Sequence, residues 1–215
     1  MTPDIHAEKI LILDFGSQYT QLIARRVRES KVYCEIYPYN MTVEQVKTYA
    51  PAGIILSGGP ASTYGDKAPH LDPAILGLEI PVLGICYGMQ EMVIQLGGKV
   101  ERTREREFGK AELLAGDRPD PLLAGLDFPQ QVWMSHGDRV TGLPSGFEVV
   151  ARTDNAPAAA VADAERRFWG VQFHPEVIHT PGGRRILDNF IFTICGCHGL
   201  WTMKSFIDSN IEEIR

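Results

Sequence analysis

The stretch PVLGICYGMQ, residues 81–90, decides how the chain is read. An apolar run, Val82 to Ile85, meets a cysteine that has Gly84 and Gly88 two positions to either side, and a helix-like run follows. Strand, tight turn and helix is the order this implies. It is the logic of the nucleophile elbow with sulfur in place of oxygen, since a sharp turn brings neighbouring backbone too close for side chains at those two positions. A thiol at a helix N-terminus also faces unsatisfied N–H groups and the positive end of the helix dipole, which favour thiolate. The same glycines would equally surround a buried thiol where sheet and helix pack tightly, so these five residues leave both readings open.

Outward from this stretch, short apolar runs alternate with helical patterns. Ile10-Leu11-Ile12-Leu13 reads as a strand buried on both faces. After Gly16-Ser17 comes a helix with Tyr19, Leu22, Ile23 and Val27 expected on its inner face. Val32 to Tyr37 is a second strand, stopped by Pro38. Thr42-x-x-Gln45 is a capping box, and Gly53 to Leu56 a third strand running into Ser57-Gly-Gly-Pro60. Asp72-Pro73 pairs an N-cap with proline at the first helical position. The helix after Cys86 is expected from about Gly88 to Leu96, ended by Gly97-Gly98. Strand and helix in alternation with short connections predict right-handed βαβ units and a mainly parallel sheet. From Lys99 the pattern changes: Lys110–Ala115, Gln131–Met134, Glu148–Thr153, Ala158–Ala162 and Phe168–Phe173 read as successive strands with antiparallel pairing. A last amphipathic helix carries Ile186, Leu187, Phe190, Ile191 and Ile194. The fold class is therefore α/β: an open, mainly parallel mixed sheet flanked by helices, with a smaller antiparallel portion.

The bulk numbers bound the function. With 215 residues the chain can bury one large core, and 44% hydrophobic with 22% charged residues is ordinary for a globular protein. A formal charge of -6 argues against nucleic-acid binding. The basic clusters Arg25, Arg26, Arg28 and Arg102, Arg104, Arg106 are short, the second interleaved with Glu101, Glu105 and Glu107, and read as solvated mixed-charge surface. No apolar run reaches the ~20 residues of a membrane span, and MTPDIHAEKI has no signal pattern, so neither membrane nor secretion is expected and the expected compartment is the cytoplasm. Cys34, Cys86, Cys195 and Cys197 are expected as free thiols. Cys195-Gly-Cys197-His198 suggests a metal site, but no second pair at zinc-site spacing accompanies it, and no metal is expected.

A cysteine nucleophile needs a base and a group that orients the base. Among the histidines with a carboxylate at i+2 are His136-Gly-Asp138 and His174-Pro-Glu176. In extended chain, residues two apart share a face, so either pair could set imidazole beside carboxylate. Pro175 forces residue 174 towards extended geometry, and the apolar run Trp169–Phe173 would present His174 at the end of a strand, where ligands of open α/β sheets lie. Spacing favours His174 without excluding His136. Ser57-Gly-Gly-Pro60 suits an oxyanion hole, because glycine lets a backbone N–H approach developing charge. It suits a simple turn as well, and it matches neither common phosphate-loop pattern.

Taken together, Gly84-Ile-Cys86-Tyr-Gly88-Met-Gln90, Ser57-Gly-Gly-Pro60 and Phe173-His-Pro-Glu176 resemble the class I, triad-type glutamine amidotransferase family, with cysteine and histidine 88 positions apart. The resemblance covers about residues 8–200 and implies a flavodoxin-like three-layer fold. Within that family Ile12-Leu-Asp-Phe-Gly-Ser-Gln-Tyr19, Ser57–Tyr64, Val132-Trp-Met-Ser-His-Gly-Asp138 and Ile194-Cys-Gly-Cys197 are similar to the amidotransferase domains of GMP synthases. The resemblance implies Cys86 as nucleophile, His174 as base and then acid, and Glu176 as the group orienting His174. It implies that backbone N–H groups of Gly59 and Tyr87 form the oxyanion hole, and that Gly58, Gln90, Ser135, His136, Gly137 and Asp138 bind L-glutamine. It implies no cofactor here: ATP and Mg belong to an ATP-pyrophosphatase (synthetase) domain or subunit, the expected partner, which would use the released ammonia to aminate XMP to GMP. The S-G-G-V-D-S loop of that domain is absent from the chain. Residues 1–200 are thus expected to be the amidotransferase domain and 201–215 the start of a linker. Two rivals share the motifs: a cysteine hydrolase of γ-glutamyl chains on the same fold, and an idle docking module in which Cys86 is merely buried.

Overall fold

A computed structural model describes residues 8–65 and 67–202, apart from the side chains at 103–106. The chain builds one nine-stranded sheet among these residues, in the order β2-β1-β3-β4-β9-β8-β7-β5-β6. Strands β1 (Lys9–Asp14), β2 (Tyr33–Pro38), β3 (Gly53–Leu56) and β4 (Val82–Ile85) are parallel, and β9 (Phe168–Val171) joins them in parallel beside β4. Beyond β9 the sheet turns antiparallel through β8 (Ala160–Asp163), β7 (Glu148–Arg152), β5 (Lys99–Ala115) and β6 (Gln130–Gly142). The expected antiparallel portion therefore continues the same sheet.

The continuous apolar strands follow from burial on both faces. Ile10, Ile12, Ile55, Leu83 and Ile85 pack with Ile23, Ala24 and Val27 of α1 (Thr20–Glu29). They also meet Ile186 and Leu187 of α4 (Gly183–Asp188) and Phe190 and Ile191 of the π-helical turns that prolong it to Ile194. Leu11, Leu13, Ile54, Leu56 and Val82 face the other way, onto Val46 of α2 (Val43–Tyr49) and Met89, Met92 and Val93 of α3 (Tyr87–Gln95). Helix, sheet, helix is the three-layer arrangement expected.

Several local expectations hold in detail. Thr42 and Gln45 form the reciprocal capping box of α2. Asp72 caps Ala74 N–H at the start of a short 3-10 turn, Pro73–Gly77. Pro38 ends β2, which lies at the sheet edge where proline is tolerated.

Three expectations need correction. The inner face of α1 is Thr20, Ile23, Ala24 and Val27, whereas Tyr19 and Leu22 are only partly covered. The helix runs Thr20–Glu29 with Tyr19 as its N-cap, so Tyr19 stands outside the helical face. Strands β5 and β6 are far longer than the apolar pieces within them, because antiparallel ladder bonds carry a strand whose one face is solvated and charged. Arg102 is not simply solvated surface; it stands at the rim of the cleft described below.

Residues 203–215, most of the expected linker, lie outside the described residues, as do the side chains of Arg104, Glu105 and Arg106. Trp201, at the start of the expected linker, is buried: its backbone N–H donates to Lys31 O (2.8 Å) and its ring lies 6.3 Å from that of Tyr33. Among the described residues no helix is long and apolar enough to cross a membrane. His198 of the Cys-Gly-Cys-His stretch bonds Glu8 through Nδ1 (2.6 Å), and Cys197 is buried.

Candidate active site

Strand order places the site. The chain passes from β1 to β2 on one side and returns to β3 on the other, so the C-terminal ends of β1 and β3 form a topological switch point, where ligands of such sheets bind. A cleft of about 780 Å³ opens there. Its walls come from the segments after β1 (Gly16–Tyr19) and β3 (Gly59–Ser62), the turn after β4 (Cys86, Tyr87), β6 (Ser135–Asp138), and His174 beyond β9.

Cys86 occupies the elbow between β4 and α3. Its φ of 51° with ψ -106° is backbone that non-glycine residues avoid, a strain found where surrounding structure holds a functional group in place. The glycines two positions away make the turn possible. A Cβ on Gly84 would lie 2.5 Å from Met89 N, and one on Gly88 only 2.3 Å from Leu56 O. Tyr87, Gly88 and Met89 open α3 with N–H groups that have no acceptor in the helix; Gln90 N–H is the first to find one, at Cys86 O (3.1 Å).

The 88 positions between Cys86 and His174 are closed by the sheet. Ile85 pairs with Val171 across β4 and β9, and Cys86 N–H donates to Val171 O (2.8 Å). His174 is then held by its backbone: its N–H donates to Trp133 O (3.0 Å), and its carbonyl accepts from Thr180 Oγ1 (2.7 Å), which in turn accepts from Trp133 N–H (3.0 Å). His174 Nδ1 meets Glu176 Oε1 at 2.7 Å, and the Tyr19 ring packs edge-on against the imidazole at 5.3 Å. Glu176 is fully buried, its carbonyl accepts from Arg26 Nε (3.1 Å), and among the described residues its Oε2 has no hydrogen-bond partner. Gly58 lies against the histidine and the cysteine: a Cβ there would sit 3.2 Å from His174 Cε1 and 3.8 Å from Cys86 Cβ.

The electrostatics of His174 are a contest. Burial alone would lower its pKa, but hydrogen bonds to Cys86 and Glu176 and the negative charge of both outweigh it and push the value up to about 10. The imidazole thus carries a proton at neutral pH.

His136 and Asp138 share the inner face of β6 as their spacing implies, yet they do not form an imidazole–carboxylate pair. His136 Nδ1 meets the backbone carbonyl of Asp138 (3.0 Å), while the Asp138 carboxylate accepts from Tyr64 OH (2.6 Å). A carbonyl only accepts, so Nδ1 carries a hydrogen. Nε2 faces Glu107 Oε2 at 3.3 Å and requires one proton on one partner or the other. Burial lowers the His136 pKa, against the opposing pull of Glu107.

Of the residues singled out from sequence, Cys86, His174, Gly59, Tyr87, Gln90, Ser135, His136, Gly137 and Asp138 all line the cleft, and Gly58 and Glu176 lie directly behind it. Four others were missed. Gln172 lies within hydrogen-bond distance of the sulfur, and its place two residues before His174 in the same extended run was the available signal. Glu107 was legible only as surface charge. Tyr19 was assigned to the core, and Thr180 carried no pattern.

Comparison with known proteins agrees with this geometry. The model of the family "Glutamine amidotransferase class-I" matches residues 11–194. The chain is 57% identical over 219 residues to GMP synthase [glutamine-hydrolyzing] of Nitrosococcus oceani, covering 99% of this chain and 42% of that protein. It is 58% identical over 208 residues to the GMP synthase of Heliobacterium modesticaldum, covering 97% and 40%. The chain thus spans about two fifths of the length of these curated relatives. Among solved structures, a proposed GMP synthase subunit from Thermoplasma acidophilum superimposes with a TM-score of 0.74 at 27% identity, covering 94% of this chain and 97% of that one. A Thermotoga maritima glutamine amidotransferase, 17% identical, shares the fold with a TM-score of 0.69 over 88% of this chain and 99% of that one. With the family model covering most of the sequence, this chain belongs to the class-I glutamine amidotransferase family.

Proposed function

We propose that the chain hydrolyses the side-chain amide of L-glutamine to glutamate and ammonia through a γ-glutamyl thioester on Cys86. The observation that carries this reading is the strained Cys86 at the N-terminus of α3, facing the same cleft as a His174 that Glu176 holds at 2.7 Å. Cys86, its proton passed to His174, attacks the amide carbon. The oxyanion that forms accepts from the N–H groups of Gly59 and Tyr87, donors aimed at charge that exists only in the transition state. Imidazolium His174 protonates the departing nitrogen and ammonia leaves, with the C–N bond replaced by C–S.

Acylation then changes the base. Burial is the largest influence on His174 and opposes its charge, while Cys86 supplies part of what outweighs it. A neutral thioester removes the sulfur's share, so neutral imidazole becomes favourable just when a base is needed to take a proton from water. Hydrolysis of the thioester returns the free thiol. Gln90, Gly58 and the strip Ser135–Asp138 are the residues assigned to the amino-acid end of the substrate, since they line or back the cleft around Cys86.

The steps use only side chains and backbone amides of this chain, so no cofactor is assigned to it. ATP and Mg are assigned to a partner, an ATP-pyrophosphatase (synthetase) domain or subunit that aminates XMP to GMP. Support for the partner comes from the names of the relatives and from the two fifths of their length that the chain spans. The amidotransferase unit is assigned to residues up to about 200, with a linker beyond. Four free thiols suit a reducing cytoplasm.

The test is hydrolysis of free glutamine by the parent and by Cys86→Ala, each with the synthetase portion of a GMP synthase added. The parent should release ammonia, and release it faster with the partner; Cys86→Ala should release none above background. Retained activity in the variant, or a parent that ignores glutamine and cleaves γ-glutamyl chains, would overturn the reading.

A further inference from the structure

Behind the sulfur lies a chain of two buried amides whose orientation is settled by one atom. Asp138 O is a backbone carbonyl and can only accept, so the Gln90 amide atom 2.9 Å from it is Nε2. That same Nε2 lies 3.0 Å from the Gln172 amide, so the Gln172 atom facing it is the acceptor, Oε1. The remaining Gln172 atom, Nε2, lies 3.6 Å from Cys86 Sγ and must donate to it. Neither glutamine can flip without setting two like atoms against each other, and both are buried, with Gln172 only 1% exposed.

We infer that Gln172 is a positioning residue that ties the reactivity of the Cys86 sulfur to the substrate-facing amide of Gln90. This rests on the reading of Cys86 as nucleophile and deepens it. At one end Gln172 gives the sulfur a neutral donor. Ser135 O, 3.7 Å from the sulfur, can only accept from the thiol and is of no help once the proton has gone to His174. At the other end both amide hydrogens of Gln90 are committed, to Asp138 O and Gln172 Oε1, so Gln90 Oε1 is left as an acceptor for a donor group of the substrate. A residue serving only to fill space would not link the two effects.

Gln172→Met keeps the length and volume and removes both bonds; Gln90→Met removes the substrate-side amide and the donor that fixes the Gln172 amide. Two readouts on Cys86, followed on its own peptide, separate the roles in folded protein of parent-like circular dichroism. One is the rate of alkylation by iodoacetamide; the other is the concentration of a glutamine-like diazoketone giving half-maximal labelling. Gln172→Met should alkylate about tenfold or more slowly at neutral pH, the loss vanishing in alkaline solution where any thiol is ionised. Its half-maximal diazoketone concentration should also rise. Gln90→Met should raise that concentration and also slow alkylation, since Gln172 loses the bond that turns its Nε2 to the sulfur, and on each readout the double variant should lose no more than the worse single variant. Parent-like alkylation in Gln172→Met, or additive losses in the double variant, would overturn the inference. Failure of Cys86 to react with the diazoketone in the parent would instead overturn the nucleophile reading.

Discussion

Replacing Glu176 by glutamine removes one charge from the core of the site while preserving its shape. Glu176 is fully buried, with Oε1 2.7 Å from His174 Nδ1. Glutamine can still accept from Nδ1–H, so the ring should stay in place, and what disappears is the charge-assisted part of the bond. Hydrogen bonds to charged groups contribute about 1.5–3 kcal/mol, so the rate of glutamine hydrolysis should fall about 10- to 150-fold. Stability gives an independent readout with a definite sign. The folded-state pKa of His174, about 10, stands above its usual 6.5 even though burial opposes it, through bonds and charges from Cys86 and Glu176. A raised histidine value contributes stability that is present below pH 6.5 and lost as the pH rises through about 10. The parent should therefore exceed Glu176→Gln in unfolding free energy most at the acid end of that window, and the gap should close towards its alkaline end. Urea unfolding at a series of pH values measures it. A variant within twofold of the parent in rate, with a stability profile parallel to the parent's, would refute the assignment of Glu176 as the group that holds the imidazolium.

Two other substitutions probe the frame. In Gly88→Ala the new methyl would meet Leu56 O at 2.3 Å and Leu56 Cβ at 2.6 Å, so backbone must shift. Overpacking of this kind costs about 1–3 kcal/mol, and the backbone contact puts Gly88→Ala at the upper end. A fall in Tm of about 6–12 °C follows for a chain of this size; an unchanged Tm would mean the elbow is looser than it looks. Thr180→Val leaves Trp133 N–H without its acceptor and frees the His174 carbonyl, which should lower stability by about 1–3 kcal/mol in urea unfolding and slow hydrolysis through loss of His174 placement. Parent-like stability there would show that the strap is not needed.

Much of this was legible in the sequence because the relevant signals are local. The elbow needs glycines at fixed offsets, Thr42 and Gln45 cap each other within one turn, and His174 and Glu176 lie two apart in extended chain. What escaped depends on partners distant in sequence. The strand pairing that brings Cys86 beside Val171, Gln172 and His174 leaves no mark in residues 81–90 alone. Strand β5 was half hidden because its first part is charged and is held by ladder bonds to β6, with no apolar face to announce it. The helix-like stripe at Tyr19 and Leu22 misled for the opposite reason: an apolar-looking ring was available, but Tyr19 ends up before the first turn, packed on His174. Likewise His136-Gly-Asp138 has the spacing of His174-Pro-Glu176, and only the geometry reveals that the Asp138 carboxylate turns to Tyr64.

Glutamine hydrolysis by this chain stands on Cys86 being the nucleophile of a glutamine-specific site. Incubating the chain with a glutamine-like diazoketone, followed by peptide mass spectrometry, tests it directly. One adduct is expected, on Cys86, its formation blocked by glutamine, with Cys34, Cys195 and Cys197 unmodified. An unlabelled Cys86, or labelling that glutamine does not prevent, would contradict it.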